Sequence, residues 1–282
     1  YGRDLASELD RMSVFANITH ELENGTESFT EISYYESETN LIRHASASFS
    51  SLKLVMGADN PYNPLGSGPG RLSGPGLDDA MSGVPAEGLD LLIDNHRIAQ
   101  LPRIVDNDGE MYRFLQGFRG SQGAWDWETA FSISEAKKDD ITRNRVSNTL
   151  AQQALYDSSP DAFNPFDPTV EGSNVERILV DVYRKSKTKL TTFDFKVSNN
   201  ELFALPAGPV AGLVGIEWRK EEFEDDRDPR LDGTIVFTHY TGNTFPYVSD
   251  VVNSSPTPDS KGSRDVSSMF AELQIPLLDN LD

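Results

Sequence analysis

The sequence predicts an all-β fold: an antiparallel transmembrane β-barrel segment of about seven strands, with long extracellular loops carrying short helices. Three observations predict it. Apolar and polar residues alternate with period 2 in several segments. Short and long connections follow one another in strict order. Hydrophobic content is low, at 37%, while aromatics reach 10%, as expected where only alternate residues of each strand face lipid.

Seven segments read as strands, taken in order. Met12–Leu22 and Ser28–Glu38 flank Glu23-Asn24-Gly25-Thr26-Glu27, and Asn-Gly between two such runs is a hairpin signal. Val14, Ala16, Ile18 and Leu22 oppose Ser13, Asn17, Thr19 and Glu21; the faces of Ser28–Glu38 are mixed. Glu110–Arg119 and Trp125–Ser134 flank Gly120–Ala124, and Trp125, Trp127, Thr129, Phe131 and Ile133 oppose Asp126, Glu128, Ala130, Ser132 and Ser134. Lys187–Phe203 and Val210–Glu221 flank Ala204–Pro209. In the first, Thr191, Phe193, Phe195 and Val197 oppose Thr192, Asp194, Lys196 and Ser198; in the second, Val210, Gly212, Val214, Ile216 and Trp218 oppose Glu217 and Arg219. In Arg264–Ile275, Met269, Ala271, Leu273 and Ile275 oppose Ser268, Phe270, Glu272 and Gln274.

The connections between hairpins are long: 39–109, 135–186 and 222–263. Structureless loops beyond ~15 residues argue against an ordinary compact domain, whereas outer-membrane barrels pair short periplasmic turns with long extracellular loops. Within these connections, Asn60–Gly70 is turn-rich, and Val175, Ile178, Leu179 and Val182 have helical spacing behind Asn174 as an N-cap. Val146, Leu150 and Ala154 could line a second helix, and Glu221–Asp232 reads as an acidic tip.

Composition excludes several functions. The net charge is −20, a poor match to nucleic acid. No cysteine is present to form disulfides, thiolate metal sites or a nucleophile, and the four histidines (His20, His44, His96, His239) are scattered. No apolar run is long enough for a transmembrane helix, and no cationic, apolar leader stands at the N-terminus. The start at Tyr1 suggests a fragment or processed product.

Candidate chemistry is sparse. Asp225, Asp226, Asp228 and Asp232 could bind calcium, but a solvated loop is the simpler reading; Asp106-Asn107-Asp108-Gly109-Glu110 has part of a calcium-loop pattern, and a turn explains it better. The Gly-rich Asn60–Gly70 lacks the phosphate-loop pattern, and no G-x-S-x-G appears. Asp126 and Glu128 sit two apart as glycosidase acids could, but with Asp194, Lys196, Glu217 and Arg219 they suit a hydrated lumen wall. Loop aromatics Tyr62, Phe163, Phe166, Tyr240, Phe245 and Tyr247 could stack on a ligand ring, or simply pack the loops. The acidic loops disfavour an anionic ligand unless Arg71, Arg97 and Arg103 offset them.

Several segments resemble the barrel of TonB-dependent outer-membrane receptors: Phe118-Arg119-Gly120 before Trp125-Asp126-Trp127-Glu128; Asn60-Pro61-Tyr62-Asn63-Pro64-Leu65-Gly66; Asp161–Phe166; Leu202–Val210 with Val214–Glu221; and Phe270–Leu277. The resemblance covers roughly residues 12–282. It implies a plugged barrel of ~22 strands that binds a small-molecule or oligosaccharide ligand, or a metal chelate such as a siderophore, on its loops. Import is then driven through TonB acting on the plug, in the outer membrane of a Gram-negative bacterium. No plug and no TonB-contacting box are found here, so the chain resembles an internal piece of a single barrel domain. The expected ligand contacts are Tyr62, Arg71, Arg97, Phe163, Tyr240 and Tyr247, the expected lumen residues Asp126, Glu128, Asp194, Glu217 and Arg219; no enzyme activity, cofactor or metal is expected. The competing readings are a soluble secreted β-rich carbohydrate-binding or adhesin-like module, and a hydrolase using paired carboxylates.

Overall fold

The computed structural model describes residues 3–45, 49 and 52–278, so Tyr1, the expected fragment boundary, lies outside the described residues. In chain order the elements are β1 (Glu8–Glu21), β2 (Glu27–Arg43), β3 (Leu54–Met56), α1 (Asp78–Met81), β4 (Leu91–Ile93), β5 (Arg103–Gln122), β6 (Trp125–Val146), α2 (Asn148–Leu155), α3 (Val170–Ser173), a 3-10 turn (Val175–Ile178), β7 (Leu179–Leu205), β8 (Gly208–Arg227), α4 (Pro229–Asp232), β9 (Val236–Thr238), β10 (Thr244–Ser249) and β11 (Ser260–Gln274). The long strands form one antiparallel sheet in the order β1-β2-β5-β6-β7-β8-β11. It is open: among the described residues β1 and β11 have no partner on their outer edges, so the expected barrel is not closed.

All seven predicted segments are strands, joined by tight turns at one end. Gly25 (φ 78°) and Gly123 (φ 64°) take the left-handed backbone these turns need. Gly123-Ala124 and Pro206-Ala207 are two-residue loops between the pairs Gln122–Trp125 and Leu205–Gly208.

At the other end the strands outrun the prediction. The long connections shrink to 44–102, 147–178 and 228–259. The added stretches carry charge instead of apolar alternation, and cross-strand ion pairs knit them: Lys137–Glu110 at 2.8 Å, Lys187–Glu135 at 3.0 Å, Arg143–Asp106 at 2.9 Å and Arg184–Asp225 at 2.7 Å. Asp106–Glu110 is therefore neither a calcium loop nor a turn but lies in the first half of β5. The acidic tip is likewise the end of β8 plus α4, capped by Asp228, whose carboxylate accepts from Arg230 N at 2.9 Å.

The three long connections fold into one head with a shared core. Phe49, Leu54, Met56, Ile93 and Ile98 come from the first; Ala151, Ala154, Leu155, Phe163, Val175 and Ile178 from the second; Phe237 and Val252 from the third; all are at most 6% exposed. Burying this set supplies the hydrophobic stabilisation of the head, at roughly 1.5–3 kcal/mol per large side chain. Side chains imitate strand and turn bonds to close it. Buried Gln152 accepts from Val55 N at 3.0 Å and donates to Val55 O at 2.8 Å, as a neighbouring strand would. Ser147 caps α2, accepting from Leu150 N at 3.1 Å, and donates to fully buried Asp250 at 2.7 Å; Arg230 completes the ion pair.

The helix expected from Val146, Leu150 and Ala154 is α2, but Val146 ends β6 instead of entering it. The helix expected from Asn174 is corrected: Val175–Ile178 makes one 3-10 turn, after which Leu179 and Val182 belong to β7. Asn174 is left-handed (φ 55°), and its amide donates to Ala162 O at 2.9 Å rather than capping a helix. A β-branched run, Val180 and Val182 with Ile178 before it, favours the strand.

Candidate functional site

Following the register from strand to strand assigns every long-strand residue to one of two faces. The five apolar faces read from sequence coincide. On one side stand Val14, Ile18, Phe114, Phe118, Trp125, Phe131, Phe193, Phe195, Val214, Ile216, Trp218, Met269 and Leu273. The mixed strand β2 resolves too: Ile32 and Tyr34 join this face, and Phe29, Glu31 and Ser33 the other.

This apolar face is open to solvent: Val14 is 56% exposed, Ile216 47% and Met269 83%. Soluble monomers rarely expose apolar patches above a few hundred Å². The band also runs obliquely across the strands. The register row of Met12, its top residue in β1, passes through Glu36, Glu110, Lys137, Lys187 and Glu224 to Lys261 in β11. The highest apolar residue of that face in β11 is Met269, so the edge descends 269 − 261 = 8 residues over six strand-to-strand steps. At ~3.3 Å per residue and ~4.8 Å between strands, that is a slope of about 42°. Tyr34, Tyr112 and Trp218 lie at the upper edge and Trp125 at the lower. Above the edge, the same face turns to the charged rows that carry the Lys137–Glu110 and Lys187–Glu135 pairs.

The expected lumen residues Asp126, Glu128, Asp194, Glu217 and Arg219 all stand on the opposite face. Glu128 pairs with Lys196 at 2.7 Å, and Arg219 reaches Glu217 at 3.5 Å. Arg113–Glu31 at 2.8 Å and Arg264–Glu221 at 2.6 Å continue the polar wall. A hollow of about 710 Å³ interrupts it, lined by Met111, Ala136, Leu190 and Phe223 with Glu221 and Arg264.

The expected ligand contacts are not brought together. Phe163 is fully buried in the head core, so its ring is not presented to a ligand. Arg71 is spent inside its own loop, donating to Gly66 O, Pro85 O and Val84 O, each at 2.9 Å. Tyr62 donates to Pro160 O at 2.7 Å. Tyr240 stacks on Tyr156 at 4.2 Å and packs against His239, pinning the β9–β10 hairpin to α2. Arg97 and Tyr247 are exposed, Tyr247 to 93%.

On the face opposite the apolar band, at the base of the head, stands a cationic cluster of which the sequence reading named only Arg103. Arg43 and Arg103 are direct partners across β2 and β5. A bulge between Thr142 and Arg145, with Asn144 at φ 57°, sets Arg145 opposite Val180 and onto the same face. Burial, then Arg43, lowers the Arg103 pKa; burial, then Arg103, pulls Arg145 down to about 10. Among the described residues, no cluster of three or more His, Asp or Glu is placed to hold a metal ion. No known protein family, curated protein or solved structure matches this chain.

Proposed function

We propose that the chain is part of the barrel wall of an outer-membrane receptor of the TonB-dependent type. Its head and inner face would capture a small-molecule or oligosaccharide ligand, and a plug outside this chain would couple passage to the TonB energising complex. The observation that carries the reading is the oblique apolar band. A flat lipid slab crossing strands tilted by 35–45° must mark a band at that slope, and the band slopes by about 42°. A soluble sheet buried on one face has no reason to end its apolar rows on such a diagonal. In β6 the band runs from Trp125 to Ile133, eight steps or about 26 Å along the strand and about 20 Å along the membrane normal. Aromatics at both edges suit the interfaces. The polar inner wall with its apolar hollow suits a hydrated lumen that holds another body.

The test is fractionation of the natural full-length product from Gram-negative cells. Recovery only from outer membranes by detergent is expected; recovery in the aqueous fraction would overturn the reading in favour of a soluble β-rich binding module.

A further inference from the structure

We infer that Arg43, Arg103 and Arg145 form a binding subsite for an oxyanion, a carboxylate or phosphate group of the ligand, on the inner face beneath the head. Like charges placed directly opposite each other on adjacent strands are destabilising, yet Arg43 and Arg103 are such a pair. The bulge at Asn144 then adds a third guanidinium to the same face.

What is missing around them completes the argument. The chain has 45 acidic residues, but none lies within 4 Å of these three guanidinium groups among the described residues. The contrast with Arg143, on the opposite face of the same strand, is direct: Asp106 meets it at 2.9 Å and Asp181 at 3.3 Å. Arg103 Nε donates to His44 O at 3.1 Å, and Arg145 Nη2 to Val252 O at 3.0 Å and Ser254 Oγ at 2.8 Å. These bonds orient two of the forks while leaving N–H groups uncommitted, and guanidinium forks suit bidentate binding of carboxylate or phosphate. Burial of Arg103 and Arg145 strengthens the attraction by removing solvent screening. An anionic ligand repelled by an acidic surface thus meets a local site of the opposite sign. As a stage of ligand passage the subsite rests on the receptor reading above; as an anion site it rests on this geometry alone.

The experiment is calorimetric titration of the folded full chain at pH 7 in 0.1 M NaCl, with citrate as the carboxylate probe, inorganic phosphate as the second and maltose as the neutral comparison. Saturable binding of citrate or phosphate is expected, with none of maltose. Arg103→Gln should weaken it at least tenfold, Arg103→Lys less, and Arg264→Gln, an inner-face arginine already paired, not at all. Arg145→Gln also cuts the tie to Val252 and could unfold the head. Arg43→Gln therefore serves as the decisive variant, because that side chain makes no polar contact among the described residues; a weakening of at least threefold is expected. No saturable binding, or binding that Arg43→Gln and Arg103→Gln leave unchanged, would overturn the inference. The outcome is separable from the fractionation test, since an aqueous protein could still bind citrate and a membrane protein could fail to.

Discussion

Asn60 and Asn63 show how much of the head is written in single residues. Each begins an Asn-Pro-x turn in which the side-chain oxygen accepts from the backbone N–H two residues on, Tyr62 and Leu65, both at 2.9 Å; Asn164 repeats the turn with Phe166 at 3.0 Å. Asn63 is fully buried, and its amide also donates to Gly57 O at 3.0 Å and Leu89 O at 2.9 Å. Asn63→Ala removes all three of these side-chain hydrogen bonds from the buried turn and should cost about 1–3 kcal/mol, read as faster amide exchange confined to the head. His96 is half-buried, with Nε2 unpartnered among the described residues, and burial lowers its pKa below the ordinary 6.5. The unfolded chain therefore binds the proton more readily. The stabilising effect of neutral His96 is complete above about pH 6.5 and is lost as pH falls below it. Head protection should decline from pH 7 to 5, and His96→Gln should flatten that decline. The turn chemistry of residues 60–70 was legible in the sequence because Asn, Pro and Gly act locally. The partners of Asn63 were not, because Leu89 lies 26 residues away.

At the level of elements, what the sequence revealed depended on which force holds each stretch together. The apolar halves of the strands were legible through alternation, since lipid or core must face one side only. The charged halves, such as Glu135–Val146 and Leu179–Ser186, were read as loop, with Val146, Leu179 and Val182 assigned to helices, because their pairing is cross-strand and leaves no period-2 signature. The predicted ligand aromatic Phe163 went the same way: one residue type serves both a binding surface and a core, and only the partners decide. Phe163→Ala should cost about 3–5 kcal/mol. Limited proteolysis should then cut within 147–178 while the long strands stay protected; simultaneous cleavage throughout would mean that head and sheet unfold as one.

For the whole molecule, the two faces make opposite demands. On the proposed receptor reading, Ile216→Arg puts a cation within the apolar band that meets lipid and should cost about 2–4 kcal/mol of inserted protein. Ser268→Arg, on the polar face of the neighbouring strand, should change assembly little. Equal effects would remove the distinction between the faces. The free edges of β1 and β11 offer rows of unpaired N–H and C=O groups to other strands. The isolated chain should therefore self-associate unless further strands cover them, which sizing in detergent would reveal. The head adds a constraint on motion. Because Phe49, Phe163 and Phe237 sit in one core though each comes from a different connection, no single connection can swing away without tearing its neighbours' packing. The three connections should therefore open together or not at all, and a cross-link between any two of them should leave the exchange behaviour of the head unchanged.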